Sequence, residues 1–204
     1  MSNKPLIYLA SKSPRRRELL SQVGVGYRCL TVDIDETPRP DEAPERYVVR
    51  MALEKAQAGA LQLDDCDEKI PVMGADTSVV IDGCILGKPR HREDGVAMLQ
   101  RLSGRQHQVM TAVALMGSDG RLESRLSVSH VRFSRLSEAQ CLAYWETGEP
   151  VDKAGGYGIQ GYAAVFIEHL EGSFSGVMGL PLFETAALLR DFRICLPEAW
   201  VEGN

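Results

Sequence analysis

The chain lacks the features that are typical of secreted disulfide-bonded proteins, of small zinc-binding domains and of membrane proteins. Its five cysteines are odd in number and form no C-x-x-C pair, which argues against a disulfide framework or a zinc knuckle. The four histidines also lack metal-ligand spacing, so we interpret them as structural or solvent-facing. No apolar run approaches a membrane span, and the run near the start is too short for a signal peptide. We therefore expect a soluble, cytoplasmic protein.

The chain also lacks an excess of positive charge. Its 23 Lys and Arg residues face 28 Asp and Glu residues, for a net charge of -5. A nucleic-acid-binding module needs a broad basic face, so that class is not expected here. The sequence is still compatible with a small basic pocket, since three consecutive arginines stand at 15–17. With 204 residues, 44% of them hydrophobic, the chain can bury a core as a single domain over 1–204, or as two closely joined lobes.

What is present is an alternation of strand and helix patterns. Short apolar runs next to turn residues predict strands at 5–10, 27–32, 70–75, 79–81, 84–86, 108–116, 122–133 and 163–170. Apolar residues at helical spacing predict helices at 15–23, 44–63, 92–102, 137–147 and 181–192. Asp82–Gly83 predicts a hairpin turn. Interleaved strands and helices together with hairpins indicate an α/β or α+β fold with a mixed, curved sheet.

The first candidate site follows the first predicted strand. Ser11 lies in a hydroxyl-rich loop, Ser13 and Pro14 suit the start of a helix, and Arg15 and Arg16 follow at once. The free N–H groups and the dipole of a helix start attract anions, so this segment suits a triphosphate. An ordinary capped helix with a solvated basic start explains the same residues equally well.

Two further candidates lie on the next predicted elements. Glu54 and Lys55 fall outside the apolar stripe of the second helix, so the pattern favours a solvent-exposed pair. Asp76 follows the strand predicted to end at residue 75, which is where α/β sheets usually place ligands. A carboxylate there can hold a cation or activate water, and Lys88 can return to the same edge after the hairpin. A residue that merely ends the strand is the alternative for Asp76.

The last candidate is the segment DKAGGYGIQG at 152–161. Four glycines in ten residues indicate positive backbone angles or a close approach to a ligand. Lys153 and Gln160 are its candidate substrate contacts. A tight structural turn is the alternative, and the pattern alone does not decide between them.

Taken together, these segments resemble the Maf family of nucleotide pyrophosphatases. The matching segments are LASKSPRRRELL, VVRMALEKA, GADTSVV, GKP, HQVMTAVAL, GEPVDKAGGYGIQG and GLPLFET, in order over about residues 6–192. The resemblance implies an elongated, curved mixed sheet with flanking helices, and two lobes around a central cleft. That fold is similar to the fold of the inosine triphosphate pyrophosphatases.

The resemblance also implies a role for individual residues. Asp76 is the expected proton acceptor that activates the attacking water. The expected triphosphate contacts are Ser11, Arg15, Arg16, Lys55 and Lys88. The expected acidic set around a divalent cation, with Mg²⁺ as the expected ion, is Glu36, Glu54 and Asp76. The residues expected to choose the base are Arg15, Thr77 and Gln160. The segment at 152–161 is similar to that of the branch acting on dTTP and UTP.

The resemblance leaves some alternatives open. One is a nucleotide-binding regulator of cell division with little hydrolysis, although such a protein would not need a water-activating carboxylate. Another is a house-cleaning hydrolase that removes non-standard nucleotides, which differs only in substrate range. A homodimer is compatible with the sequence, but no feature demands one.

Overall fold

A seven-stranded mixed sheet forms the centre of the protein, as seen in a computed structural model that describes residues 5–64, 67 and 69–194. Its strands are β1 Ile7–Ala10, β2 Tyr27–Leu30, β3 Val72–Ile81, β4 Cys84–Leu86, β5 Gln106–Met116, β6 Leu122–Phe133 and β7 Ile167–Glu171. Their order is β2-β1-β3-β5-β6-β7, and β4 pairs with the end of β3. β1 pairs in parallel with β2 and β3, whereas the other pairs are antiparallel. The predicted α/β fold with a mixed sheet is confirmed.

Helices flank this sheet. They are α1 Pro14–Gln22, α2 Pro44–Ala60, α3 Arg92–Leu102, α4 Glu138–Glu146, α5 Phe174–Met178 and α6 Leu182–Asp191. Ser13 caps α1 by accepting a hydrogen bond from the N–H of Arg16, and Pro14 is the first helical residue, as predicted. The Asp82–Gly83 turn joins β3 to β4 with positive φ angles of 53° and 71°, which is the backbone of a tight two-residue hairpin. None of the described helices has the length and apolar character needed to cross a bilayer.

The prediction that a strand ends before Asp76 is wrong. β3 continues through this residue, and β5 pairs with it from Val72 to Val80. The break was predicted because Asp76, Thr77 and Ser78 interrupt the apolar run. These polar residues are tolerated because this part of the strand lines a cleft, where polar groups can face solvent or a ligand.

The strand predicted at 163–170 is also partly wrong. Tyr162–Phe166 forms a 3₁₀ helix, and β7 begins only at Ile167, which pairs with Phe133 of β6. The apolar run was misleading because Tyr162 and Val165 are largely exposed instead of facing the core. The short helix α5 was not predicted, and the 152–161 segment contains a further 3₁₀ turn at Ala154–Gly156.

Separate groups of buried side chains pack against the sheet. One includes Leu99, Phe133 and Tyr144 and lies with α3 and α4. Another includes Leu9 and Leu188 and lies with α1 and α6. A cleft opens beside the first group, whose Val79, Leu86 and Tyr157 line it, and Met178 at the edge of the second group lines it too.

Candidate functional site

The cleft has a volume of about 830 Å³, in the range typical of small-molecule sites. Its walls are the β1–α1 turn, the middle of β3, the β4–α3 connection, the segment 33–43 that we name the strap, and the segment 150–161 that we name the glycine loop. The predicted site residues that line it are Ser11, Arg15, Arg16, Glu36, Lys55, Asp76, Thr77, Lys88, Lys153 and Gln160. Glu54 is the one predicted site residue that does not line the cleft.

At the centre of the cleft, one lysine holds two carboxylates. Lys55 Nζ lies 2.7 Å from Asp76 Oδ1 and 2.7 Å from Glu36 Oε1. The side chains of Lys55 and Asp76 are only 12% and 13% exposed, so solvent screens their charges little. The sequence pattern favoured a solvent-exposed Lys55, and that interpretation is wrong.

Lys55 reaches Asp76 because α2 packs unusually close to β3. A Cβ atom at Gly74 would overlap the carbonyl oxygen of Ala52 and lie 2.5 Å from the backbone nitrogen of Ala56, so only glycine permits this contact. Gly74 and Asp76 stand two residues apart and therefore share one face of the strand. The glycine thus brings the helix over the face that carries the carboxylate.

Arg16 is fixed at the other wall of the cleft. Its guanidinium donates hydrogen bonds to the carbonyl of Gly179 at 2.8 Å, to Ser11 Oγ at 3.1 Å and to Thr77 Oγ1 at 3.3 Å. Thr77 Oγ1 also lies 3.0 Å from the hydroxyl of Thr111, so the network runs into the sheet. These bonds use three of the five arginine N–H groups and fix the guanidinium, which lines the cleft.

The strap carries Glu36 to the cleft and is anchored on α2. The hydroxyl of Tyr47 donates to the Glu36 carbonyl at 2.9 Å. Arg50 donates to both carboxylate oxygens of Glu42 at 2.6 Å and to the carbonyl of Thr37 at 3.1 Å. Sequence reasoning missed Tyr47 and Arg50. Their position on the helix directly after the strap was the available signal, but only tertiary contacts reveal their partners.

Glu54 lies apart from the other two carboxylates of the predicted metal set. Its side chain accepts hydrogen bonds from Arg39 at 3.2 Å and from Arg50 at 3.3 Å and 3.4 Å. Among the described residues, no group of three or more His, Cys, Asp or Glu side chains is arranged to hold a metal ion. Asp76 and Glu36 are the pair that the structure brings together, with the Lys55 ammonium between them.

The charges in the cleft shift the pKa values of their neighbours. Partial burial acts to raise the pKa of Glu36, but the hydrogen bond and charge of Lys55 outweigh it and hold this pKa below its usual range, with help from Lys88. Burial lowers the pKa of Arg16, an effect that the charge of Asp76 opposes. Burial and the charge of Asp76 raise the pKa of Tyr47 to about 12. The site therefore keeps Glu36 ionised.

The glycine loop forms a further wall of the cleft, and the N–H of Gly155 donates to the carbonyl of Gly87 at 2.9 Å. Gln160 lines the cleft there and is exposed. Lys153 lines the cleft, but its ammonium donates to the carbonyl of Glu149 at 2.6 Å and lies 2.8 Å from Asp152. Its charge is thus partly offset within the loop.

Comparisons with known proteins match nearly the whole chain. The family model described as Maf-like protein matches residues 6–192. The dTTP/UTP pyrophosphatase of Alkalilimnicola ehrlichii is 60% identical over 199 residues, covering 97% of this chain and 98% of that relative. The dTTP/UTP pyrophosphatase of Saccharophagus degradans is 53% identical over 192 residues, covering 94% of this chain and 91% of the relative.

Two solved structures show partial likeness. One is a nucleoside-triphosphatase/dITP/XTP pyrophosphatase from Mycobacterium abscessus, with a TM-score of 0.41 and 18% identity over 64% of this chain and 73% of that one. The other is the Ham1 protein of Staphylococcus aureus, with a TM-score of 0.44 and 15% identity over 62% of this chain and 71% of that one.

Proposed function

Because the chain belongs to the Maf family, we propose that it is a pyrophosphatase that hydrolyses dTTP and UTP to the monophosphate and pyrophosphate. Relatives that share 53–60% of their residues over nearly the whole chain carry this activity in their names. The observation that carries the proposal is the cleft itself, where cationic side chains converge on a buried carboxylate, Asp76. Nucleoside triphosphates are abundant in the cytoplasm, and we infer that the protein works there.

The triphosphate binds between the β1–α1 turn and the two lysines. Ser11, the N–H groups at the start of α1 and the guanidinium of Arg16 offer donors on one side. Lys55 and Lys88 offer positive charge on the other side. These cations offset the negative charge that would repel a nucleophile, and they stabilise the charge that builds up on the leaving pyrophosphate.

Asp76 accepts a proton from the attacking water. Its carboxylate lies on the face of β3 that lines the cleft and is held by Lys55, so its position is fixed before substrate arrives. Water then attacks the α-phosphorus, and the bond to the bridging oxygen of the pyrophosphate breaks. Lys55, 2.7 Å from Asp76 Oδ1, holds the carboxylate in place for this proton transfer.

The donor set also fits a hard divalent cation such as Mg²⁺. One or two carboxylates together with substrate phosphates are the usual ligands of this ion, and Asp76 and Glu36 already share one positive charge. A divalent cation bound there would supply further neutralisation of the phosphate oxygens. Glu54 joins this set only if it leaves Arg50, which now holds it.

The base lies at the glycine loop. The amide of Gln160 carries both a donor and an acceptor. It pairs with the ring N–H and a carbonyl of thymine or uracil, whereas cytosine presents a different edge. Thr77 and Arg15 complete the predicted selectivity set, although Thr77 acts through Arg16, to which its hydroxyl is bound. The same site admits modified pyrimidine nucleotides, which is the house-cleaning role.

The test is pyrophosphate release from a panel of nucleoside triphosphates with Mg²⁺, comparing the wild type with Asp76→Asn. We expect release from dTTP and UTP and its near-complete loss in the variant. Asp119→Asn, in an exposed hairpin away from the cleft, is the matched control. Nucleotide binding without pyrophosphate release in the wild type would instead favour a regulator of cell division.

A further inference from the structure

We propose that Glu149, which does not line the cleft, is a positioning residue that sets base selectivity by clamping the glycine loop on both sides of Gln160. The inference rests on the proposed function, because it concerns how the base-reading amide is held. Glu149 stands just before the loop, at the start of a 3₁₀ turn over Glu149–Asp152. Its carboxylate faces back across the loop to the residues that follow it.

The carboxylate closes the loop at its far end. Glu149 Oε2 accepts a hydrogen bond from the backbone N–H of Tyr162 at 2.8 Å. Glu149 Oε1 accepts one from the hydroxyl of Tyr144 at 2.6 Å and a longer one from the N–H of Ala163 at 3.5 Å. A single side chain thus joins the two ends of the loop, with charge-assisted hydrogen bonds that are stronger than neutral ones.

Tyr144 extends the clamp to the middle of the loop. Its oxygen accepts a hydrogen bond from the N–H of Gly158 at 3.3 Å while its O–H donates to Glu149. The tyrosine is 3% exposed, and its ring contacts Phe166 edge to face at 5.4 Å, so the hydroxyl is held by the core. Gln160 is therefore flanked by fixed backbone two residues before it and two residues after it.

The glycines of the loop match this arrangement. A Cβ atom at Gly161 would overlap the carboxylate of Glu149, which leaves no room for a side chain. A Cβ atom at Gly158 would lie 2.9 Å from Lys153 Cε, and the ammonium of that lysine donates to the carbonyl of Glu149. A side chain at either glycine would therefore displace Glu149 or Lys153 from the place where it holds the loop, and neither glycine has a positive φ angle.

The decisive variant is Glu149→Gln, which keeps the size of the side chain. It replaces one of the two acceptor oxygens with an NH₂ group, so either the N–H of Tyr162 or the O–H of Tyr144 loses its acceptor and one side of the clamp opens. We expect the preference for UTP over CTP, measured as the ratio of their kcat/KM values, to fall about tenfold because a hydrogen bond to a charged group is lost. Turnover of the bound triphosphate changes much less, since the phosphate-binding residues are untouched.

Tyr144→Phe provides a second variant that removes only the hydroxyl. We expect the preference for UTP over CTP to fall in this variant too, but by less than in Glu149→Gln. In both variants we expect faster amide hydrogen exchange at residues 158–163. Glu146→Gln is the control, since Glu146 is an exposed carboxylate at the end of the same helix and pairs with Arg92. Thermal melting of each variant separates loss of fold from loss of selectivity.

Lower melting temperatures with an unchanged UTP-to-CTP ratio would overturn the inference, because Glu149 would then act on stability alone. Equilibrium binding of UTP and CTP, which requires no turnover, separates this failure from failure of the proposed function. If the wild type binds UTP better than CTP but releases no pyrophosphate, the proposed activity is wrong. The role of Glu149 is then tested by the ratio of the UTP and CTP binding affinities in the variants. A wild type that binds both equally refutes the selectivity role.

Discussion

Two parts of the cleft, which we name the phosphate end and the base end after their proposed roles, are held in different ways. At the phosphate end, charged side chains hold one another, with Lys55 placed between Asp76 and Glu36. At the base end, the glycine loop is held by hydrogen bonds to its backbone and by buried rings, among them Tyr157 and its partner His107. We expect the first arrangement, which is built from charged groups that can exchange partners, to rearrange when a highly charged substrate enters. We expect the second to change little.

This difference separates two tasks. Stabilising charge on a phosphate requires cations that are in place but can exchange one anionic partner for another. Reading a base requires donors and acceptors whose geometry is fixed in advance, because a loosely held amide does not discriminate between bases. Mutations at the phosphate end should therefore change turnover, and mutations at the base end should change substrate choice or stability.

Lys55→Met gives the largest expected effect and tests the phosphate end directly. Removing the ammonium leaves Asp76 and Glu36 without their shared cation and takes a positive charge from the triphosphate. We expect pyrophosphate release to fall by about 10²- to 10³-fold, as for the loss of other charge-stabilising donors. Steady-state kinetics with dTTP at saturating Mg²⁺ measures it.

Two further variants sharpen this result. Lys55→Arg keeps the charge but not the compact ammonium, so we expect only partial activity. Lys69→Met removes an exposed lysine outside the cleft and serves as control. A Lys55→Met enzyme within a few-fold of the wild type would show that the Asp76–Lys55–Glu36 arrangement is structural.

Most of the fold could be predicted because periodicity and turn chemistry are local. The capped start of α1 and the Asp82–Gly83 hairpin follow from neighbouring residues, and both were confirmed. The errors came where the position of a residue in the folded chain overrides the local pattern. Asp76 interrupts an apolar strand because it faces the cleft, and Val165 belongs to an apolar run but is 82% exposed.

The site could be predicted only in part, for a related reason. The resemblance supplied residue identities, and the structure brings all but one of them to the cleft, although their chemical roles stay predictions. It could not supply the partners that hold them, since the contacts of Arg50 and Glu149 depend on how the chain folds back on itself. Glu54 illustrates the limit, because its arginine partners lie 15 and four residues away in sequence.

His107, which lies at the base end, gives the next largest expected effect. It tests whether protonation of a buried group at this end changes the stability of the fold. Burial lowers the pKa of this histidine to about 4. Its Nε2 lies 2.7 Å from the Tyr157 hydroxyl, and its buried Nδ1 has no hydrogen-bond partner in the described part of the chain. As pH falls, the unfolded chain therefore takes up a proton at this histidine before the folded chain does. The free energy of unfolding keeps its full contribution from neutral His107 above about pH 6.5 and loses on the order of 3 kcal/mol toward pH 4.

His107→Gln removes this titration, and denaturant unfolding at pH 7, 5.5 and 4.5 measures the result. We expect the stability of the variant to fall less steeply with acid than that of the wild type, whatever its value at pH 7. His169→Gln, at an exposed position, should keep the wild-type slope. Parallel slopes for the wild type and His107→Gln would show that acid acts on the molecule elsewhere.

Arg50→Met gives the smallest expected effect and tests whether the strap belongs to the phosphate end. Arg50 holds both oxygens of Glu42 and the carbonyl of Thr37, so its removal frees the strap that carries Glu36. We expect activity on dTTP at fixed, subsaturating Mg²⁺ to fall about tenfold through the loss of hydrogen bonds between charged groups. Arg50→Lys should restore little, because an ammonium cannot make the same two-pronged contact.

The Mg²⁺ dependence of that variant decides what the strap does. If the strap positions Glu36 for the cation, Arg50→Met should need more Mg²⁺ for half-maximal activity, while its selectivity for UTP over CTP stays that of the wild type. Arg46→Met, on the exposed face of the same helix, controls for loss of charge. Changed base selectivity with unchanged Mg²⁺ dependence would contradict the division between the two ends, because a phosphate-end contact would then be acting on the base.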